Sequence, residues 1–403
     1  MLERHGLVYF GPEPWDGLWR NRHQLLSVFA RANKVLYVEP RASLRPAIQA
    51  VWRERSLGLK WPLCEAVQNN LFVFHTPRLA PVSGNRLVAA LTRSVRHRLL
   101  RGTLRQLGMD KPIVWFSRPN MADLVGVCQE RLSIYHVVDE YTAYGNKTDA
   151  EKQRIHAIER RMLALADVVI VVSPPLLTAK QQYNPNTYLV PNAVNYEAFS
   201  HAMSDAGPLP SDVGRLPRPI IGYSGLVCSR LDLELLVDIA QEYPQWSLAL
   251  VGVVRDQKCR ETMDRLRSLA NVYLLGYKAV DLVPYYVKAF DVCLIPYRAG
   301  EEAVHINPLK LYDYLACGKP IVSVDIPSVR PFAEVVHIAK DKTTFVRRIE
   351  DALREDGRLT SRRLSIAKQN TWEARVEQLS TLIQEALWAK YGTGDLNNSQ
   401  ERE

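Results

Sequence analysis

No stretch of this 403-residue chain stays apolar for the roughly 18 residues that a membrane-spanning helix needs, so a protein of this sequence that works at a membrane is expected to lie on its surface. The N-terminal segment MLERHGLVYFGPEPWDG lacks the basic-then-apolar layout of a secretory signal, and its one apolar run is about five residues long. The six cysteines, Cys64, Cys128, Cys228, Cys259, Cys293 and Cys317, have no paired spacing, which argues against a zinc frame or a disulfide frame and for reduced thiols in a cytoplasmic protein. There is no acidic D-x-D cluster at a strand end and no Ser-His-Asp or Cys-His set. The G-x-G-x-x-G turn is missing after the first strand of either half, which speaks against a dinucleotide-dependent dehydrogenase.

What is present is an ordinary folded composition, 47% apolar and 24% charged, with a net charge of +9 and a pI near 9.2. That charge calls for an anionic partner and does not choose among phosphorylated substrates, an anionic membrane and nucleic acid. The length allows two to three domains.

Short β-branched or aromatic runs alternate with amphipathic segments, the pattern of parallel α/β layers. In the first half the runs are GLVYFG, KVLYVEP, LFVFH, IVWFS, SIYHVV, DVVIVVS and TYLVP. Between SIYHVV and DVVIVVS lies DAEKQRIHAIERRMLALA, whose Ile155, Ile158, Met162 and Leu165 recur at helical spacing and predict the sheet-facing side. SHAMSDAGPLPSDVGRLPRP, residues 200–219, breaks the rhythm and reads as a linker. The alternation then restarts with PIIGYSG, WSLALVG, VYLLGY, VCLIPY and PIVSVD. The expected fold is therefore α/β, with two Rossmann-like domains of parallel sheets facing across a cleft: residues 1–205 and 206–372. A C-terminal helix of about 373–392 would return to the first domain, and a polar tail of 393–403 would follow. Ligands in such sheets gather at the carboxyl ends of the strands.

One segment there is HINPLKLYDYLACGKPIV, residues 305–322. Pro308 suits a helix start, where free N–H groups and the positive dipole end form an anion site. Lys310 adds a point charge beside it, and Asp313, three residues on, shares its face and can accept hydrogen bonds from two adjacent hydroxyls such as those of a ribose. Taken alone, the pair also fits an unremarked surface ion pair.

The block from NVYLLGYKAVDLVPYYVKAFDVCLIPYRAGEEA through HINPLKLYDYLACGKPIVSVD resembles the donor-binding half of family 4 glycosyltransferases of the GT-B fold, in the branch that builds teichuronic, capsular and exopolysaccharides. PIIGYSGLVCSRLD resembles the first strand and loop of that half, and DVVIVVSPPL and YLVPNAVNYEAF resemble further segments of the family. WDGLWRNRHQLLSVFARANKVLYVEP and IYHVVDEYTAY resemble its acceptor half, so the likeness covers roughly residues 6–390. The resemblance implies a nucleoside diphosphate sugar as donor, with Gly225, Arg230, Tyr277, His305, Asn307, Pro308, Leu309, Lys310 and Asp313 on the donor side. Lys310 and Arg230 would neutralise the leaving diphosphate without a metal ion, and no cofactor is expected. Two departures stand out. The family's first carboxylate, seven residues before the ribose-binding one, falls on His305, so Glu301 or Glu302 is a candidate substitute; and the cation pair of the first donor loop is reduced to Arg230.

On the acceptor side, Asp16, Gly17 and Arg20 follow the first strand and are placed to meet sugar hydroxyls. His136, Asp139 and Glu140 end the strand of IYHVVDEYTAY, and a carboxylate there can take a proton from an attacking hydroxyl. Asp139 is the favoured member, because His136 lies within the strand. The resemblance implies retention of anomeric configuration, with the leaving phosphate accepting the proton. An epimerase on the same fold and a catalytically silent nucleotide-binding scaffold are the alternatives.

The segment from Arg86 to Arg105 carries six arginines and no acid, interleaved with Leu and Val, and predicts a basic amphipathic helix suited to an anionic bilayer. Residues 40–61 repeat that character. A lipid-linked or free saccharide acceptor and a peripheral position on the inner face of the plasma membrane follow as expectations; no nucleic-acid motif accompanies the charge.

Overall fold

The computed structural model describes residues 2–41, 62–77, 85–143, 145, 147–255 and 257–392. Nearly all of the second basic segment, 42–61, and the tail 393–403 lie outside them. The chain divides into two compact units.

The first unit comprises the chain up to Val171, Leu177–Val190 and the chain from Val376. Its strands are Gly6–Phe10 (β1), Lys34–Val38 (β2), Cys64–Gln68 (β3), Leu71–Phe74 (β4), Ile113–Phe116 (β5), Leu132–Val137 (β6), Val168–Val171 (β7) and Thr187–Leu189 (β8). They form one sheet in the order β3-β4-β2-β1-β5-β6-β7-β8, parallel except for the β3–β4 pair. Strands covered on both faces must be apolar throughout, which is why they read as continuous hydrophobic runs. Val8, Leu36, Val114, Ile134 and Val169 are accordingly sealed from solvent. The polar strand β3, CEAVQ, gave no such signal because it is a half-exposed edge.

The helices are Asn21–Phe29 (α1), Arg86–Gln106 (α2), Asp149–Leu165 (α3) and Pro174–Gln181 (α4). Helix α3 starts at a capping box between Thr148 and Glu151. Ile155 and Ile158 are half-buried on the expected side, and the departure is confined to its C-terminal part. Met162 is buried, but Leu165 is exposed, and Glu159 and Leu163 are buried instead. Glu159 is buried because it pairs with Lys180, a contact that hydrophobic spacing does not report.

The second unit comprises Val172–Leu176 and Pro191–Arg375. Its helices are Tyr196–Ser204 (α5), Ser211–Gly214 (α6), Leu233–Glu242 (α7), Arg260–Ser268 (α8), Val283–Ala289 (α9), Glu301–Val304 (α10), Leu309–Ala316 (α11), Lys342–Leu353 (α12) and Thr360–Gln369 (α13). Strands Ile220–Ser224 (β9), Ser247–Val251 (β11), Val272–Gly276 (β13), Val292–Ile295 (β14), Ile321–Val324 (β15) and His337–Ala339 (β16) form a parallel sheet in the order β13-β11-β9-β14-β15-β16. Val227–Cys228 (β10) and Val254–Arg255 (β12) pair separately.

The segment 200–219 is not a loose connection. Lys288 Nζ donates to the carbonyls of Ala202 and Asp205, and Asp212 accepts from Lys278 Nζ at 2.6 Å and from Tyr286 Oη at 2.8 Å. Its Pro and Gly residues punctuate two short helices held on the second unit, and the contacts divide at Pro191 instead. The last helix, Trp372–Tyr391 (α14), begins in the second unit and contributes Val376 onward to the first, where Lys390 pairs with Asp167 at 2.8 Å and Tyr391 Oη donates to the Arg131 carbonyl.

Candidate functional site

In the second unit, the sheet's carboxyl edge is built on glycine. β9 is followed by Gly225 and β11 by Gly252, both with positive φ, +139° and +137°. A β-carbon on Gly252 would stand 1.9 Å from the Gly225 carbonyl oxygen, so the two backbones approach as no side chain allows. Gly225 N–H donates to the Val251 carbonyl and Gly252 N–H to that of Gly276, which ties three strand ends together.

Helix α11 delivers Lys310 to this edge. Pro308 is its N-cap, and no side chain caps its first turn. Lys310 is 9% exposed; its Nζ donates to Tyr297 Oη at 2.7 Å and lies 5.0 Å and 4.8 Å from the ring centres of Tyr223 and Tyr297. Burial alone would depress its pKa, but the two phenols outweigh that and push it up, so the ammonium persists at neutral pH. A β-carbon on Gly225 would lie 3.3 Å from Lys310 Cε. Tyr223 and Tyr297, which sequence reasoning missed, sit at the ends of the neighbouring strands β9 and β14 and prepare a buried cationic spot. The tyrosines in YSG and IPY were the available signal.

Asp313, three residues on, is half-buried, and its carboxylate has no hydrogen bond or ion pair among the described residues. Desolvation lifts its pKa from 3.8 to about 7, against the pull of the Lys310 ammonium. Leu309 is half-buried beside it, in the first position of the helix.

The loop before α11 is pinned through its backbone. Ser173 Oγ donates to the His305 carbonyl at 2.8 Å and Ser328 Oγ to that of Ile306. Asn307 is buried: its Oδ1 accepts from Asn192 N–H at 2.9 Å, and its carbonyl accepts from Asn192 Nδ2 at 2.7 Å. Its side chain is thereby committed to positioning the helix start, and a direct ligand contact through Oδ1 does not fit this geometry. His305 caps the short helix α10 and is half-buried. Arg230 Nε pairs with Glu302 Oε1 at 2.5 Å, so the candidate phosphate cation and one candidate substitute carboxylate meet each other; Glu301 is exposed. Tyr277 is 59% exposed, one residue beyond β13.

In the first unit, the loop after β1 is ordered from within. A β-carbon at Gly11 would strike the Tyr37 hydroxyl, which donates to the Glu13 carbonyl at 2.5 Å. Glu13 holds both Arg20 Nε, at 3.1 Å, and the buried Arg22, at 3.3 Å. Arg20 N–H donates to His23 Nδ1, leaving Nε2 to donate to the Trp15 carbonyl; burial lowers the His23 pKa to about 4, so the ring is neutral. Arg20 is therefore tied to Glu13 and organises this loop. Asp16 and Gly17 are exposed, and Gly17 has no positive φ; the nearest atom to an added β-carbon is the Pro14 carbonyl at 3.3 Å.

His136 and Glu140 take opposite roles. His136 is 8% exposed, desolvation lowers its pKa to about 4, and neither ring nitrogen has a partner. Its ring centre lies 5.9 Å from that of Trp115, whose Nε1 also lacks one. A neutral imidazole with two open nitrogens is an unusual thing to bury. Glu140, by contrast, is saturated. Its Oε2 pairs with Lys180 at 2.7 Å and its Oε1 accepts from Thr142 Oγ1 at 2.7 Å. Lys180 also binds Glu159 at 2.8 Å, and Tyr135 Oη donates to Glu159 at 3.0 Å. Burial would raise the Glu140 pKa, but Lys180 and Thr142 hold it below the ordinary range. Glu140 thus belongs to a structural network and is not available as a catalytic base. Asp139, half-buried, lies at the carboxyl edge beyond β6.

Residues 218–355 match the family described as Glycosyl transferases group 1. The Bacillus subtilis (strain 168) protein named "Putative teichuronic acid biosynthesis glycosyltransferase TuaH" is 23% identical over 284 residues, covering 66% of this chain and 70% of its own. Among solved structures, Anabaena HepE in complex with UDP and glucose superposes with a TM-score of 0.67 at 15% identity, over 95% of this chain and all of its own. Sucrose-phosphate synthase from Thermosynechococcus elongatus superposes with 0.68 at 16% identity, over 96% and all of its own.

Proposed function

We infer that this chain, which matches the group 1 glycosyl transferase family over residues 218–355 and shares its fold with solved glycosyltransferases, moves a sugar from a nucleoside diphosphate sugar to a saccharide or lipid-linked acceptor in polysaccharide assembly. The observation that carries the donor reading is Asp313. A desolvated carboxylate without a partner, next to a buried ammonium, is poorly served by the protein alone and well served by two vicinal ribose hydroxyls. That relatives of the same fold are solved with UDP and with UDP-glucose supports a nucleotide sugar.

The diphosphate would sit against Lys310, the uncapped first turn of α11 and Arg230, with Arg230 exchanging Glu302 for phosphate oxygens. These fixed cations take up the charge that develops as the C1–O bond to phosphate breaks, so the reaction is read as metal-independent. Gly225 lets the diphosphate approach the backbone, and Tyr277 lies on the strand edge where the base would be received. His305 and Glu301 border the sugar. In a retaining transfer the acceptor oxygen bonds to C1 on the face from which the diphosphate leaves. The bonding pair goes to the leaving phosphate oxygen, which takes the acceptor's proton. On the acceptor side, Asp139 and the open nitrogens of neutral His136 would orient that hydroxyl, with Asp16 and Gly17 further along the acceptor.

The test is calorimetric titration with UDP and other nucleoside diphosphates. The intact protein should bind one of them, and Lys310→Ala should lower the affinity by at least ~100-fold, the size expected for a buried charge-assisted contact. Unchanged affinity would refute the donor site.

A further inference from the structure

The donor and acceptor edges leave one surface unexplained, the outer side of α2. Leu87, Leu91 and Val95 recur every fourth residue, which on a helix makes a single stripe. They stand 83%, 68% and 42% exposed. The opposite side of the helix, with Thr92, Leu100, Thr103 and Leu104, is buried on the unit. Arg93, Arg98, Arg101 and Arg105 are exposed as well, and the whole helix contains no acidic residue. Arg101 and Arg105 turn back to carbonyls of their own helix, at His97 and Arg101. Water solvates such a face poorly at the leucines, and no carboxylate on the helix offsets its charge.

We propose that this face of α2 is the protein's seat on an anionic phospholipid bilayer, with Leu87, Leu91 and Val95 entering the headgroup–acyl boundary and the arginines meeting lipid phosphates. The charge argues for a bilayer over another apolar protein surface: an amphipathic helix with arginines flanking an aliphatic stripe matches an interface that is apolar below and anionic above. Among the described residues no helix is long and apolar enough to cross a membrane. The seat has a consequence for the acceptor. The other side of the same helix, at His97 and Leu100, lines a small apolar pocket with Phe10, Val38, Phe74 and Leu124, where β1, β2 and β4 end. Docking through α2 therefore brings the acceptor edge of the first unit to the lipid surface, where a lipid-linked acceptor resides. That last step rests on the transferase reading above; the docking itself does not.

The experiment is co-sedimentation of the full chain with vesicles of phosphatidylcholine alone and with about one third phosphatidylglycerol. Binding should require the anionic lipid and fall steeply with added salt, because the arginine term is screened. Replacing Arg98, Arg101 and Arg105 by Gln together should weaken it by ~100-fold, a factor of about five for each arginine. A Leu87→Gln, Leu91→Gln, Val95→Gln triple variant should reduce it by at least ~10-fold with an unchanged melting temperature, since the side chains are exposed. Absence of vesicle binding by the parent, or parental binding by both triple variants, overturns the proposal. So does a result in which the apolar variant abolishes self-association in vesicle-free sedimentation, which would make the face a contact between copies, or in which the arginines are needed for RNA and not for vesicles. A nucleoside diphosphate titration of the parent separates the two readings. A parent that binds a nucleoside diphosphate but no anionic vesicles sinks only the docking, and one that binds the vesicles but no nucleoside diphosphate sinks only the donor site.

Discussion

Replacing Asp313 by Asn should make the ligand-free protein more stable while destroying its affinity for the donor. The Asp313 carboxyl has its pKa lifted from 3.8 to about 7 by desolvation, with Lys310 opposing. A raised carboxyl pKa means that the folded state favours the protonated form. Its contribution to stability is fully present below the unfolded value near 4 and is lost as pH rises through about 7. Above that, the parent carries the whole cost of an ionised, unpartnered carboxylate. Three pH units at about 1.4 kcal/mol each set a ceiling near 4 kcal/mol, and the partial exposure of the side chain brings the working figure to about 1–2 kcal/mol. Asn keeps the shape and carries no charge, so it escapes that cost. For a unit of this size the gain corresponds to roughly 2–8 °C in Tm. Melting curves of both proteins across about pH 4 to pH 8.5 should nearly coincide at the acid end, diverge as pH rises from about 4 to about 7, and keep a constant gap above that. Titration with whichever nucleoside diphosphate the parent binds should show binding only by the parent. A Tm gap that does not change with pH, or a variant less stable than the parent at high pH, would refute the account of Asp313.

Three substitutions check the rest of the geometry. Gly252→Ala places a β-carbon 1.9 Å from the Gly225 oxygen at a φ of +137°, and should cost about 3 kcal/mol or more of stability in chemical denaturation. Gly17→Ala, which meets only the Pro14 oxygen at 3.3 Å with no positive φ, should stay within about 1 kcal/mol, and equal losses at the two sites would contradict the backbone argument. Glu140→Gln, which leaves Lys180 with Glu159 alone, should destabilise by about 2–4 kcal/mol and leave donor affinity untouched. A stable Glu140→Gln protein that binds donor and transfers nothing would restore Glu140 to the chemistry.

Much of the architecture was legible because parallel strands buried on both faces write themselves as apolar runs, and each run quoted from the sequence corresponds to a strand of the structure. The edge strand β3 was not, since half of it faces water. Lys310 and Asp313 could be picked out from their shared helix face, but their environments could not. Lys310 owes its burial and charge to tyrosines 87 and 13 positions away along the chain, joined only by the β9–β14 pairing. Glu140 illustrates the opposite error. Beside Asp139 it looked like a second catalytic carboxylate, and only the fold brings Lys180 and Glu159 to it. The partners of Arg20 and Asn307, Glu13 and Asn192, were likewise hidden from the sequence, being matters of loop path and not of spacing. Residues 200–219 show that Pro and Gly mark turns reliably and domain borders poorly.

The touching backbones of Gly225 and Gly252 also limit how this site can change over time. A clash between side chains can be relieved by shrinking either partner, so most packed positions drift in compensating pairs. Here the obstacle to a larger residue at 252 is a carbonyl oxygen, which every amino acid carries. No replacement at 225 makes room for it. Position 252 is closed to single and paired substitution alike, and a library built on this edge should leave it fixed.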